Sequence, residues 1–278
     1  MKKERVDVLL VEQGLFETRE KAKRAIMAGI VYSQETRLDK PGEKINHDSI
    51  LTVKGKSLKY VSRGGLKLEK ALQEFDVTME NKVLLDIGSS TGGFTDCALQ
   101  NGAKMSYAVD VGYNQLAWKL RQDKRVVVME RTNFRYVTPA DLDGEMPTIA
   151  SIDVSFISLK LILPVLKTLL VPNSDVIALV KPQFEAGRDQ VGKKGIVREK
   201  KIHEAVVEKM VNFALKEGYE VRNISFSPIT GGDGNIEFLL HLHWDIDQSF
   251  NQIEKVYPIK EVVEQAHNEL KSKKTKEE

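Results

Sequence analysis

The sequence predicts an α/β chain: a mostly parallel sheet covered by helices on both faces, with a small α+β unit ahead of it. Three observations carry this. From residue 82 onward, apolar β-rich runs alternate with segments of helical period. Those runs are continuously apolar, as in strands buried on both faces. The last two, "EVRNISFSPI" (220–229) and "NIEFLLHLHW" (235–244), are separated by "TGGDG", which is turn chemistry. A hairpin cannot continue a parallel crossover, so the final strand is expected to run antiparallel.

Composition limits what the chain can be. It has 278 residues, 41% hydrophobic and 29% charged, which fits a globular protein of two domains. The richest apolar stretch, "LILPVLKTLLVPNSDVIALV", is broken by Lys167, two prolines and Asp175, so no membrane span is expected. The N-terminus has no sustained apolar region and does not read as a signal peptide. The single cysteine, Cys97, excludes an intramolecular disulfide, a cysteine cluster for zinc and a CxxC redox pair. A cytoplasmic protein without a metal centre is expected. Residues 1–70 carry 16 Lys+Arg against 10 Asp+Glu, a net +6, which leaves −4 on the remainder. A basic leading part on a mildly acidic body suits a polyanionic partner.

The leading part divides readily. "RVDVLLVEQG" has helical spacing and stops at Gly14. "TREKAKRAIMAG" opens with Thr18 as N-cap and closes at Gly29 as the residue after the C-cap. Short strands are expected at "IVYS" and "SILTV", with Lys40-Pro41-Gly42 as a turn between them. Residues 1–53 form this unit and 54–62 a linker. The pattern Arg5, Asp7, Leu10, Gly14, Thr18-Arg19, Ala22, Ile26, Gly29, Val31 and Lys40-Pro41-Gly42 resembles the S4 RNA-binding domain. Arg5, Arg19, Lys21, Lys23 and Arg24 are then candidate phosphate contacts, which position RNA without reading bases.

In the second domain, 63–245, strands are expected at "KVLLDIG", "SYAVDVG", "VVVMERTN", "TIASIDVSF" and "SDVIALVKP". Helices are expected at "GGFTDCALQNG", "NQLAWKLRQ", "SLKLILPVLKTLL" and "KKIHEAVVEKMVNFALKEG". Residues 246–278 read as a peripheral helix with a charged tail.

"LLDIGSSTGGFTD" is strand, glycine turn and helix start. Its G-x-x-x-G-G spacing is not the dinucleotide fingerprint, and neither a phosphate-binding cation nor a Gly-Lys-Ser/Thr is present. Instead Asp86 precedes the turn and Asp110 ends the next strand, where an acidic residue commonly holds ribose hydroxyls. Acidic residues suit S-adenosylmethionine, whose ammonium and sulfonium are cationic. The sheet with its antiparallel hairpin likewise resembles the Rossmann-like S-adenosylmethionine-dependent methyltransferases. Candidate cofactor contacts are Asp86, Gly88, Ser89, Ser90, Thr91, Gly92, Gly93, Phe94 and Asp110. Asn133 reads either as an adenine contact or as a turn asparagine.

Side chains separate the methylation chemistries. Cys97 lies inside a helix, which argues against a cysteine nucleophile on cytosine. The Asn/Asp-Pro-Pro-Tyr/Phe of amino methylation is replaced by Asp153-Val154-Ser155-Phe156. A ribose 2′-hydroxyl needs a base or cation and in-line geometry. Asp153, Lys181 and Glu237 are expected to converge at the carboxyl ends of the parallel strands, where open α/β sheets bind ligands. Each borders an apolar run, where a charge needs a partner or a role.

Residues 60–245 resemble the FtsJ-like ribose methyltransferases with their Lys-Asp-Lys-Glu tetrad. Joined to an S4 unit, they resemble the TlyA family, which 2′-O-methylates ribosomal RNA cytidines. The tetrad then falls on Lys67, Asp153, Lys181 and Glu237. Thr91 stands where the FtsJ-like "GxxPGG" loop has proline. The resemblance gives Lys181 the place nearest the target hydroxyl, as base or as cation. On a helix starting near Gly64, Lys67 falls on the shoulder of the apolar stripe, about 100° from Leu68, and Lys70 faces solvent. Arg63 and the loop cations Arg188, Lys193, Lys194 and Arg198 are candidate RNA contacts, the loop reading equally as a mobile surface segment. Two rivals stand beside this reading: a catalytically silent RNA-binding assembly protein, and the haemolysin whose label some TlyA-type proteins carry.

Overall fold

A computed structural model describes residues 3–16, 18–34, 36–54, 59–231, 234–246 and 256–277, with side chains to residue 270. Part of the expected linker, the tip of the terminal hairpin and the end of the charged tail lie outside the described residues. Contacts divide the chain into two compact units, Met1–Gly65 and Leu66–Glu278.

The first unit begins with β1 (Lys3–Arg5), α1 (Val6–Glu12) and α2 (Arg19–Met27). It continues through β2 (Val31–Ser33), β3 (Thr36–Arg37), β4 (Lys44–Asn46) and β5 (Leu51–Val53). The Thr18 hydroxyl accepts the Lys21 amide at 3.3 Å, the N-cap contact its position predicts. Gly29 follows the C-cap at φ +70°. Ala22, Ala25 and Ile26 face inward and join Val6, Leu9 and Leu10 in a core of their own. The pair β1–β4 is not anticipated by the sequence reading, because three-residue strands carry too little periodicity.

The second unit is built on a seven-stranded sheet among the described residues, entered through α3 (Gly64–Phe75). Chain order is β6 (Val83–Ile87), α4 (Gly93–Gln100), β7 (Met105–Val109), α5 (Trp118–Arg121), β8 (Val126–Met129) and β9 (Ile149–Ile152). Then come α6 (Leu163–Leu166), β10 (Ser174–Val180), α7 (Pro182–Glu185), α8 (Lys200–Lys216), β11 (Glu220–Phe226), β12 (Phe238–Trp244) and α9 (Ile259–Glu277). Spatial order is β11-β12-β10-β9-β6-β7-β8. Only β12 opposes its neighbours, so the sheet is closed by an antiparallel hairpin strand as expected. The chain leaves β6 toward β7 and later returns to β9 on its other side, which makes β6/β9 the switch point where such sheets bind ligands.

Three segments depart from expectation. The helix expected over 114–122 shrinks to α5, because the amides of Asn114, Gln115 and Leu116 donate to the Glu130 carboxylate instead of a helical ladder. The helix expected over 158–170 is a 3₁₀ turn (Leu159–Leu161) followed by α6. Pro164 tolerates only a first turn, so the helix restarts around it. The C-terminal helix is not peripheral: Val262, Val263, Ala266 and Leu270 of α9 belong to the main core.

Candidate active site

Gly88 ends β6 at φ +84°, and a Cβ there would lie 2.6 Å from the carbonyl oxygen of Asp153. Glycine is therefore required where the loop after β6 crosses the turn after β9. The Gly88 and Ser89 amides both donate to the Val109 carbonyl, and the Ser90 amide donates to Asp110 Oδ2 at 2.8 Å. Asp110 Oδ1 accepts from Gly112 at 2.6 Å, so this carboxylate joins the loops after β6 and β7. Gly92, at φ +94°, is closed over by Leu116 and Leu120, which would clash with any Cβ, and Gly93 opens α4. Thr91 hands its carbonyl to the Ala117 amide at 3.1 Å, which anchors the loop where proline would have stiffened it. Ser89 and Phe94 are buried, whereas Ser90 is exposed.

Asp86 is placed differently from the expected cofactor contact. It is 0% exposed, and its oxygens accept from the Thr95 amide, the Thr95 hydroxyl and the Ser151 hydroxyl. Burial pushes it up to about 6, with those hydrogen bonds holding it back. It fastens α4 to β6 and β9 from behind the loop rather than facing the open side. Asn133 caps the 3₁₀ turn Phe134–Tyr136, its Oδ1 accepting the Arg135 amide at 3.2 Å. That is the turn role of the two readings.

At the switch point the four charged residues come together. Asp153, just beyond β9, lies between two lysines: Oδ1 is 2.6 Å from Lys181 Nζ and Oδ2 is 3.3 Å from Lys67 Nζ. Lys67 Nζ is also 2.7 Å from Glu237 Oε2. Lys181 Nζ donates to the Ser155 hydroxyl at 3.0 Å, a partner the sequence reading did not single out. Glu237 stands one residue before β12 rather than opening it, and Gly231 packs so closely that a Cβ would lie 2.7 Å from its Oε1.

Burial alone would lower Lys67, but the Asp153 and Glu237 carboxylates outweigh it and the amine is raised. Burial alone would raise Asp153, but Lys67 and Lys181 outweigh it and the carboxyl is lowered. This pair is therefore charged at neutral pH. Asp153 Oδ1 and Glu237 Oε2 are both buried, and each faces a lysine ammonium, Lys181 and Lys67 respectively. A cationic ligand suits the glycine loop itself, which carries no cation and is joined to the Asp110 carboxylate through the Ser90 amide.

Lys70 does not point to solvent as expected. Its Nζ lies 3.4 Å from the centroid of Phe226 and 3.4 Å from Glu74 Oε1. Cys97 is fully buried in α4, as core filler. Phe156, after Asp153 and Ser155, is 90% exposed at φ +64°, with its ring centroid 4.9 Å from that of Phe184.

The expected RNA contacts differ in burial and in their surroundings. Asp7, buried in the first unit, holds both Arg5 (2.9 Å) and Arg19 (3.0 Å), so these guanidiniums are partly spent inside the unit. Lys21 and Lys23 are exposed, Arg24 and Arg63 half-buried. In the second unit Arg188, Lys193, Lys194 and Arg198 are all exposed on the segment between α7 and α8.

Comparison with known proteins gives two family matches: the S4 domain over residues 4–51 and the FtsJ-like methyltransferase over residues 60–244. The chain is 72% identical to a Bacillus subtilis protein named "Putative rRNA methyltransferase YqxC", over 98% of this chain and 97% of that one. It is 40% identical to "16S/23S rRNA (cytidine-2'-O)-methyltransferase TlyA" of Mycobacterium tuberculosis, over 89% and 92% of the two chains. A solved structure, "Putative hemolysin from Streptococcus thermophilus", is 59% identical and superposes with a TM-score of 0.78 over 99% of both chains.

Proposed function

Because the chain belongs to the TlyA family of S4-containing FtsJ-like methyltransferases, we propose that it methylates the ribose 2′-hydroxyl of ribosomal RNA, at cytidine. The observation that carries this reading is the buried Lys67–Asp153–Lys181 arrangement, with Glu237 on Lys67, beside a glycine loop at the switch point.

S-adenosylmethionine, when bound, supplies the methyl group. The residues that would hold it are the loop Gly88–Phe94, with its exposed Ser90, and Asp110, which stands where ribose hydroxyls are held in such sheets. Lys181 would meet the target oxygen. As an ammonium it has three N–H groups; Asp153 and Ser155 take two, leaving one for the 2′-oxygen. That donor steadies the oxygen as negative charge develops on it. As the oxygen–carbon bond forms, the methyl–sulfur bond of the cofactor would break, and the hydroxyl proton would pass to solvent water, because the Lys181 ammonium cannot take it. Asp153 fixes both lysines, and Glu237 balances Lys67. The exposed Phe156 face beside the cluster offers a stacking surface for an unpaired base.

Haemolysis finds less support, since no helix among the described residues is long and apolar enough to cross a membrane. The test is labelled methyl transfer to isolated ribosomal subunits, followed by mass mapping of ribose methylation. A 2′-O-methylcytidine that depends on Lys181 is the expected product. Measurable S-adenosylmethionine binding with no transfer to any subunit or rRNA would favour the silent RNA-binding protein.

A further inference from the structure

The turn after β9 and the short helix after β10 are fastened together at two places, and only one of them lies in the charged cluster. In the cluster, Lys181 grips Asp153 and Ser155 at 2.6 and 3.0 Å. Behind it stands Glu185, the last residue of α7 and only 5% exposed. Its Oε2 accepts the Ser158 hydroxyl at 2.6 Å and its Oε1 accepts the Leu159 amide at 2.7 Å. Between the two fastenings, the Phe156 and Phe184 rings meet.

The segment so held is under constraint. Residues 153–158 contain no glycine, yet Phe156 adopts φ +64°. An aromatic residue keeps a left-handed conformation only where its surroundings over-determine it. Phe156 itself is 90% exposed, so its own burial does not hold it there. The anchors are at the ends of the segment: Lys181 at one and Glu185 at the other. Glu185 is in turn fixed to α8, where Lys209 Nζ donates to its main-chain carbonyl at 2.7 Å.

We propose that Glu185 is a positioning residue for methyl transfer: its carboxylate clamps the turn after β9 to α7 and thereby sets Asp153 and Ser155 against Lys181. This rests on the methyl-transfer reading above. Glu185 does not touch the reacting atoms; it acts through the geometry of Lys181, where misplacement of about 1 Å costs on the order of 10²-fold.

The test compares Glu185→Ala, Glu185→Gln and Ser158→Ala with the unaltered full-length protein, on the same ribosomal subunits. Glu185→Ala should lower kcat by about tenfold or more while the S-adenosylmethionine Kd stays within about twofold. Glu185→Gln, which keeps one acceptor for the Leu159 amide, should recover most of the loss. Ser158→Ala should lower kcat in the same direction, and adding it to Glu185→Ala should cost little more. Transfer by Glu185→Ala within twofold of the unaltered protein would overturn the proposal alone. If Glu185→Ala does not fold, an unchanged kcat in Ser158→Ala does the same. A loss of kcat shared equally by cofactor affinity and thermal stability would make Glu185 merely structural. Absence of transfer by the unaltered protein would instead sink the assignment of the reaction.

Discussion

Lys67 and Lys70 leave α3 three positions apart and meet different surroundings. Lys67, 8% exposed, stands between the Asp153 and Glu237 carboxylates. Lys70 lies over the Phe226 ring and beside Glu74, away from that cluster. Removing Lys67 leaves two buried carboxylates without their shared cation, which is the costly way to break such an arrangement. Lys67→Ala should therefore abolish methyl transfer, by about 10²-fold or more, while S-adenosylmethionine affinity stays nearly intact. Lys70→Ala should leave kcat unchanged and cost at most about 1 kcal/mol of stability, the scale of a partly exposed cation–π contact. Paired transfer assays and thermal melts on the two variants check this. The reverse pattern would remove Lys67 from the site. The helical wheel was enough to separate the two lysines, but not to find Phe226. Period gives the side of a helix a residue takes, not which strand end passes over it. Ser155 and Glu185 were hidden for a similar reason. Their partners come from different strand ends, a relation that no local spacing in the sequence encodes.

At the scale of elements, α8 and α9 meet through a buried histidine pair. His203 Nδ1 and His267 Nε2 are 2.8 Å apart, with exposures of 0% and 2%. One nitrogen donates and the other accepts, so the contact needs a neutral ring on at least one side. Burial, and then the His267 charge, depress His203 to about 4. Unfolding restores a value near 6.5, so below that pH the unfolded chain binds the extra proton. Stability should fall as pH drops from about 6.5 to about 4, by up to about 3 kcal/mol from this residue. Urea titrations at several pH values check it. In His203→Leu the acid-side slope should flatten, and an unchanged slope would assign the loss to other groups. The packing of α9 was missed because charged residues interleave Val262, Val263, Ala266 and Leu270 and mask its apolar stripe. Strands β6, β9 and β10 are legible because both faces of each are largely buried, which leaves continuous apolar runs. The shortening of α5 is not, since it turns on Glu130, a carboxylate 14 to 16 residues away that takes three amides.

For the whole molecule, charge is unevenly divided along the chain. The leading 70 residues carry net +6 and the rest −4. The first unit has its own core, built on Val6, Leu9, Leu10, Ala22 and Ile26, and the cofactor loop and charged cluster draw on Lys67 onward. A chain of residues 59–278 should therefore keep S-adenosylmethionine affinity within about twofold. It should lose transfer to ribosomal RNA at RNA concentrations that saturate the full chain. The loss should be electrostatic in character. Each phosphate contact contributes about −0.7 to −0.9 to the slope of log K against log salt. The truncation removes five candidate cations, Arg5, Arg19, Lys21, Lys23 and Arg24, and two of these, Arg5 and Arg19, are shared with Asp7. Truncation should thus reduce the slope by about 2 to 4. RNA binding by the full and shortened chains across a salt series measures both quantities. Equal slopes and equal affinities would move RNA recognition to the second unit, where Arg188, Lys193, Lys194 and Arg198 stand exposed.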